Sequence, residues 1–160
     1  MTRHGADLAL LLLGGFRTLA DAASAELLRR GYGELRPSHE FAMRAIAAGA
    51  GNTSELGRRL AVSKQAAAKT IAVLEERGYV TRTEDAEDSR RKLLAVTPLG
   101  HEVMQQGEAI FEDLRAQWAS KIGPDALARL EADLITLVGP APVQVDAPGW
   151  IGQDSSDGTD

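Results

Sequence analysis

Apolar positions recur at helical spacing along most of this chain, and one short segment breaks the rhythm. Leu8, Leu12, Phe16, Leu19, Ala23 and Leu27 fall three or four residues apart, predicting a first helix from Asp7 to about Arg30 with one apolar face. Gly14-Gly15 within it costs roughly 1 kcal/mol per glycine relative to alanine, which predicts close packing against another helix there. After a Gly31-Tyr32-Gly33 loop, Pro37 suits the first turn of a second helix, where its missing N–H costs nothing. That helix turns Phe41, Ala42, Ala45 and Ile46 inward and ends at Gly49-Ala50-Gly51. Asn52 then caps a short third helix carrying Leu56 and Leu60, with Glu55 placed to reach back to the cap.

Past the turn at Ala61-Val62, Ser63 caps a fourth helix, Lys64 to Arg77, with Ala67, Ile71 and Leu74 as its inner stripe and Gly78 at its end. Here the period changes. Tyr79–Thr83 and Lys92–Val96 are short and rich in β-branched or apolar residues, and a charged, turn-forming stretch from Glu84 to Ser89 separates them, so they predict a hairpin. Thr97-Pro98 opens a long helix through Leu99, Val103, Ile110, Leu114 and Trp118 to about Ile122. Gly123-Pro124 breaks it, and Leu127, Leu130, Leu134 and Leu137 mark a last helix. Beyond Gly139 the chain turns to Pro, Gly, Ser and Asp, the composition of a disordered tail over residues 139–160.

This order predicts a mainly α fold with a small β-hairpin, and its middle reads as a winged helix-turn-helix. A major groove about 12 Å wide admits one α-helix, and a second helix must brace it from behind. Leu56, Leu60, Val62, Ile71 and Leu74 would form the bracing core. Ser63, Lys64, Gln65 and, one turn on, Lys69 are left facing outward. Glutamine can bond adenine bidentately, lysine donates to guanine or phosphate, and Ala66 or Ala68 can approach closely and meet a thymine methyl.

Charge sharpens this picture. The 160 residues carry a net −5, but residues 1–52 hold +1, residues 53–97 hold +2 and residues 98–160 hold −8. The positive balance lies over the hairpin and the helices before it, as a polyanion-binding module requires. There is no cysteine, which excludes disulfides, thiolate metal sites and thiol catalysis. His4, His39 and His101 have no metal-ligand spacing, and Ser38-His39-Glu40 are sequence neighbours that do not face one another on a helix. With no Gly-rich phosphate loop either, neither an enzyme nor a cofactor is expected. The apolar run Leu8–Phe16 is about half the ~18 residues of a membrane span, and no small-residue cleavage site follows it. We therefore expect no membrane partner and a cytoplasmic location.

Thr53-Ser54-Glu55-Leu56-Gly57-Arg58-Arg59-Leu60-Ala61-Val62-Ser63-Lys64-Gln65, Leu74-Glu75-Glu76-Arg77-Gly78-Tyr79-Val80, Asp88-Ser89-Arg90-Arg91-Lys92-Leu93 and Val96-Thr97-Pro98-Leu99-Gly100 together resemble the MarR family of bacterial transcription regulators. The resemblance in architecture extends over about residues 7–138. It implies a homodimer held by helices from both chain ends: residues 1–36 and 99–138 for dimerisation, residues 37–98 for the winged helix-turn-helix. It further implies a repressor of a near-palindromic double-stranded DNA operator. Ser63, Lys64, Gln65, Ala66 and Lys69 would read the major groove, with Thr53 and Ser54 at the start of the bracing helix. Arg90 would enter the minor groove, oriented by Asp88, with Arg82 and Lys92 on the strands beside it. The family often has arginine or polar residues where this chain has Ala66-Ala67-Ala68, which shifts specificity toward groove shape. A small aromatic or phenolic effector, bound between the dimerisation helices and the reading domain, is also implied, and Arg17, His39 and Trp118 are the candidates for that pocket. The competing reading is a winged-helix protein-interaction module that does not bind DNA.

Overall fold

In the computed structural model, which describes residues 4–139, α1 (Gly5–Arg29) leads to α2 (Pro37–Ala47), α3 (Thr53–Leu60) and α4 (Lys64–Glu76). The strands β1 (Val80–Glu84) and β2 (Lys92–Val96) follow, then α5 (Pro98–Ile122) and α6 (Pro124–Val138). The expected disordered tail falls almost wholly on residues 140–160, outside the described residues. Local chemistry fixes these boundaries. The His4 N–H donates to Asp7 Oδ2 (3.0 Å) at the start of α1, and the Arg36 N–H donates to His39 Nδ1 (3.0 Å) ahead of Pro37. Glu55 does not complete the predicted reciprocal cap with Asn52. Its N–H bonds Asn52 Oδ1 (2.9 Å), but its carboxylate accepts from the Gly51 N–H (3.3 Å) and holds Arg59 (2.8 Å), because the arginine one turn on competes for it.

The strands pair antiparallel with Val80 opposite Val96 and Glu84 opposite Lys92. The Leu94 N–H reaches across to the Gly51 carbonyl (3.0 Å), so the α2–α3 loop lies along β2. At Gly51 a Cβ would stand 2.9 Å from Leu93 Cδ2, the far end of a side chain that would have to shift. Met43, Leu56, Ile71, Leu74 and Val103 are fully buried and join α2, α3, α4 and α5 into one core with Tyr79, Val80 and Leu94 of the hairpin. Each such side chain contributes roughly 1.5–3 kcal/mol relative to exposure.

Three expectations fail in instructive ways. Val62 is exposed rather than in the core between α3 and α4, because Ala61 takes a left-handed conformation (φ 53°, ψ 41°) and turns the chain outward. Leu99 is likewise exposed, at the first turn of α5, where Thr97 and Gly100 make the contacts to the hairpin. The glycine pair in α1 is split: a Cβ on Gly15 would meet Trp118 of α5 at 3.4 Å, whereas Gly14 has nothing within 4 Å.

The apolar face of α1 is also divided. Ala20, Ala23 and Leu27 are buried, but Leu8, Leu11, Leu12 and Phe16 stand 61, 60, 45 and 50% exposed. With its alanines and glycines counted, α1 is long and apolar enough to cross a membrane (mean hydropathy 1.3), although the Leu8–Phe16 run alone is not. Its second half packs on α5.

Candidate nucleic-acid interface

The helix-turn-helix is closed by small residues. A Cβ on Gly57 would lie 3.1 Å from the Val62 carbonyl oxygen, and the Val62 N–H donates back to the Gly57 carbonyl (3.0 Å). The turn therefore folds directly over α3. Ser63 Oγ then accepts from the Ala66 N–H (3.1 Å), and Ala67, Ile71 and Leu74 point into the core. That inner stripe leaves Ser63, Lys64, Gln65, Ala66, Ala68, Lys69 and Ala72 exposed, the outward set expected for a groove-reading helix.

At the head of α3, Ser54 is exposed and Thr53 half-buried. A shallow groove of about 690 Å³ runs between the starts of α3 and α4, with Ser54, Arg58 and Lys64 on its walls. Arg58 is a functional candidate the sequence reading passed over. Arg59 beside it is committed, holding Glu55 (2.8 Å) and the Ala48 carbonyl (3.2 Å), while Arg58 has no carboxylate partner among the described residues. The signal was present in the spacing: Arg58 lies one turn beyond Ser54 and off the face of Leu56 and Leu60.

In the wing, Asp88 acts on the backbone. Its Oδ1 accepts from the Arg90 N–H (3.0 Å) and its carbonyl from the Arg91 N–H (2.9 Å), while the Arg91 carbonyl accepts from the Asp85 N–H (3.0 Å). Asp88 thus shapes the tip from which Arg90, Arg91 and Lys92 project, all exposed and without a carboxylate partner among the described residues. Arg82 differs, since its guanidinium reaches Glu75 of α4 (3.3 Å) and ties the wing to the recognition helix. Glu84, Asp85, Glu87 and Asp88 place negative charge on the same tip.

The wing is knotted to the base of α5. Thr97 Oγ1 donates to the Gly78 carbonyl (2.6 Å) and accepts from the Gly100 N–H (3.0 Å), and the Thr97 N–H bonds the Tyr79 carbonyl (3.0 Å). Gly100 packs so closely that a Cβ there would stand 2.2 Å from that same Tyr79 oxygen. The Tyr79 hydroxyl donates to the Tyr32 carbonyl, and Arg77 donates to the Glu34 carbonyl, fastening the α1–α2 loop beneath the hairpin. Burial raises the Tyr79 phenol above its ordinary range, and the hydrogen bond to Glu102 does the same for Tyr32.

The three residues expected around an effector are not brought together. Arg17 is exposed on α1. His39 caps α2 through Nδ1; burial, then Arg77 and Arg36, hold its pKa below the usual histidine value, which keeps that nitrogen free to accept. Trp118 alone lines a cavity, of about 280 Å³, between α1, α5 and α6. A larger cleft of about 560 Å³ lies between α2 and α5. Arg44, 4% exposed, spans that boundary, holding Glu40 of its own helix (2.9 Å) and Glu108 of α5 (2.6 Å). Burial raises the Glu40 pKa, and the Arg44 hydrogen bond opposes the shift.

Residues 42–91 match the sequence profile of the MarR family. No curated protein matches the chain significantly. Among solved structures, FabT of Streptococcus pneumoniae in complex with DNA superposes with a TM-score of 0.67 at 15% identity, covering 84% of this chain and 95% of that one. The transcriptional regulator Tm0710 of Thermotoga maritima gives 0.60 at 24% identity, covering 83% and 92%. A MepR F27L mutant of S. aureus, bound to an oligodeoxyribonucleotide, gives 0.57 at 15% identity, covering 82% and 95%. At these identities the likeness establishes the fold.

Proposed function

We propose that this chain, whose residues 42–91 match the MarR family profile, is a winged-helix repressor which binds a near-palindromic operator as a homodimer and lets go when a small molecule binds. The observation that carries DNA reading is the set of unpaired cations. Arg58, Lys64 and Lys69 on the two helices and Arg90, Arg91 and Lys92 on the wing stand exposed without carboxylate partners among the described residues, whereas the adjacent Arg59 and Arg82 are tied to glutamates. Cations free of internal partners are the ones that can release counterions from phosphate. The two relatives solved with DNA support the same assignment by fold.

Two recognition helices read successive major grooves only when held about 34–36 Å apart, which demands a second copy. The apolar surfaces left exposed at both chain ends, Leu8, Leu12 and Phe16 on α1 and Ile135, Leu137 and Val138 on α6, support that pairing. The clefts beside α5 support release, since a ligand there can favour one head spacing over another.

The test is a gel shift on the DNA upstream of the protein's own coding sequence. Wild type should bind, with affinity falling steeply as salt rises, and Arg90→Ala should bind at least about tenfold more weakly while remaining dimeric. Equal affinity for the variant overturns the wing assignment. The exposed alanines of α4 and the acidic residues of the wing tip favour a second reading, a winged-helix protein-interaction module, and it gains if no duplex binds at all.

A further inference from the structure

We propose that the chain's own segment 140–160, which lies outside the described residues, docks in the groove between the starts of α3 and α4 and competes there with the duplex. Its regulatory role rests on the DNA-reading assignment above; the contact itself does not. The groove, of about 690 Å³, joins two chemistries. Arg58 and Lys64 stand exposed on its walls without carboxylate partners among the described residues. Val62 lines it too, 44% exposed beside the left-handed Ala61. A phosphate backbone answers the two cations and leaves the valine uncovered. An occupant carrying both aspartates and a large apolar side chain answers all three.

Residues 140–160 have that composition. They hold Asp146, Asp154, Asp157 and Asp160, no lysine or arginine, and Trp150-Ile151 between the first two aspartates. Four of the chain's five net negative charges thus lie in this segment. An indole on Val62 buries the exposed isopropyl group and offers a ring face to the Arg58 guanidinium. The aspartates around it then meet Lys64 and the free cations of α4 and the wing. Reach is ample: this length of chain spans up to ~70 Å, against ~37 Å for the 25-residue α5 that runs from the wing base to the turn into α6. Tethering supplies an effective concentration of about millimolar, so contacts worth up to about fivefold each are enough. Occupancy of the groove lowers affinity for every duplex by one factor, which sets the protein concentration at which an operator fills.

The chain's four lysines make the contact measurable without DNA. Lys64, Lys69 and Lys92 lie on the reading surface, and Lys121 lies at the end of α5. Zero-length carbodiimide coupling of the full chain, mapped by peptide mass spectrometry, should join aspartates of 140–160 to Lys64 at least about threefold more than to Lys121. Coupling to Lys64 no stronger than to Lys121 overturns the proposal. Trp150→Ala keeps every charge; it should cut the Lys64 coupling about threefold and tighten duplex binding about threefold in a low-salt gel shift. Changing all four aspartates to asparagine should tighten duplex binding at least about fivefold. If the asparagine variant alone gains affinity, general charge relief explains it and the docking is refuted, as it is if neither variant gains. Where neither wild type nor variants bind any duplex but Lys64 still couples, the regulator reading fails and the contact stands.

Discussion

The middle of this molecule and its two ends solve the problem of apolar surface differently. From α2 to the start of α5, the large apolar side chains other than Val62 and Leu99 turn toward Met43, Leu56, Ile71, Leu74 and Val103, and the small residues sit where backbones meet. In the first half of α1 and the last turns of α6, the largest side chains face outward, with Leu137 79% and Leu10 65% exposed. A region whose polar and apolar demands are met within one chain can fold as a unit. The leucine-rich faces at the two ends, uncovered among the described residues, are where the proposed second copy would sit.

The contrast is broken most forcefully in the middle. Gly100→Val should destabilise the protein by about 3 kcal/mol or more, because no rotamer removes a Cβ from the Tyr79 carbonyl. A urea-unfolding midpoint equal to wild type would show that the joint yields. At the ends, the double change Leu12→Asp with Phe16→Asp should leave the circular dichroism spectrum helical and convert dimers to monomers in sedimentation, raising the dissociation constant at least about a hundredfold. An intact dimer would place the partner surface elsewhere.

Adjacent arginines sharpen the comparison further. Arg58→Ala should weaken duplex binding about fivefold and lower the salt slope by about one, with little effect on stability. Arg59→Ala should do the reverse, since it removes a contact joining α3 to the end of α2. The smallest effect is a pH dependence. The pKa of His39 is depressed in the folded state, so its contribution is complete above the unfolded value near 6.5 and is lost as pH falls through the folded value. Unfolding midpoints at pH 7.5 and 5.0 should differ by less in His39→Ala than in wild type.

The elements were legible because each boundary is written in local chemistry: Asn52, Ser63 and Thr97 act as caps, and Gly78, Gly123 and the prolines mark stops and starts. The outward set on α4 followed from one helical period. What periodicity cannot see is a commitment made across elements. Spacing sets Arg58 one turn beyond Ser54, but nothing in the sequence shows that Glu55 pairs with Arg59 rather than Arg58, or that Arg82 is spent on Glu75, because those outcomes depend on how the elements pack. The same limit explains Val62, whose exposure turns on the backbone of Ala61, and the effector residues, where Trp118 lines a cavity but His39 is occupied in capping and Arg17 faces outward.

The knot at Thr97 has one more effect. No linker separates the hairpin from the long helix: strand, cap and first turn share the hydrogen bonds to Gly78 and Tyr79, with Gly100 pressed against them. A tilt of that helix would therefore carry the base of the hairpin with it.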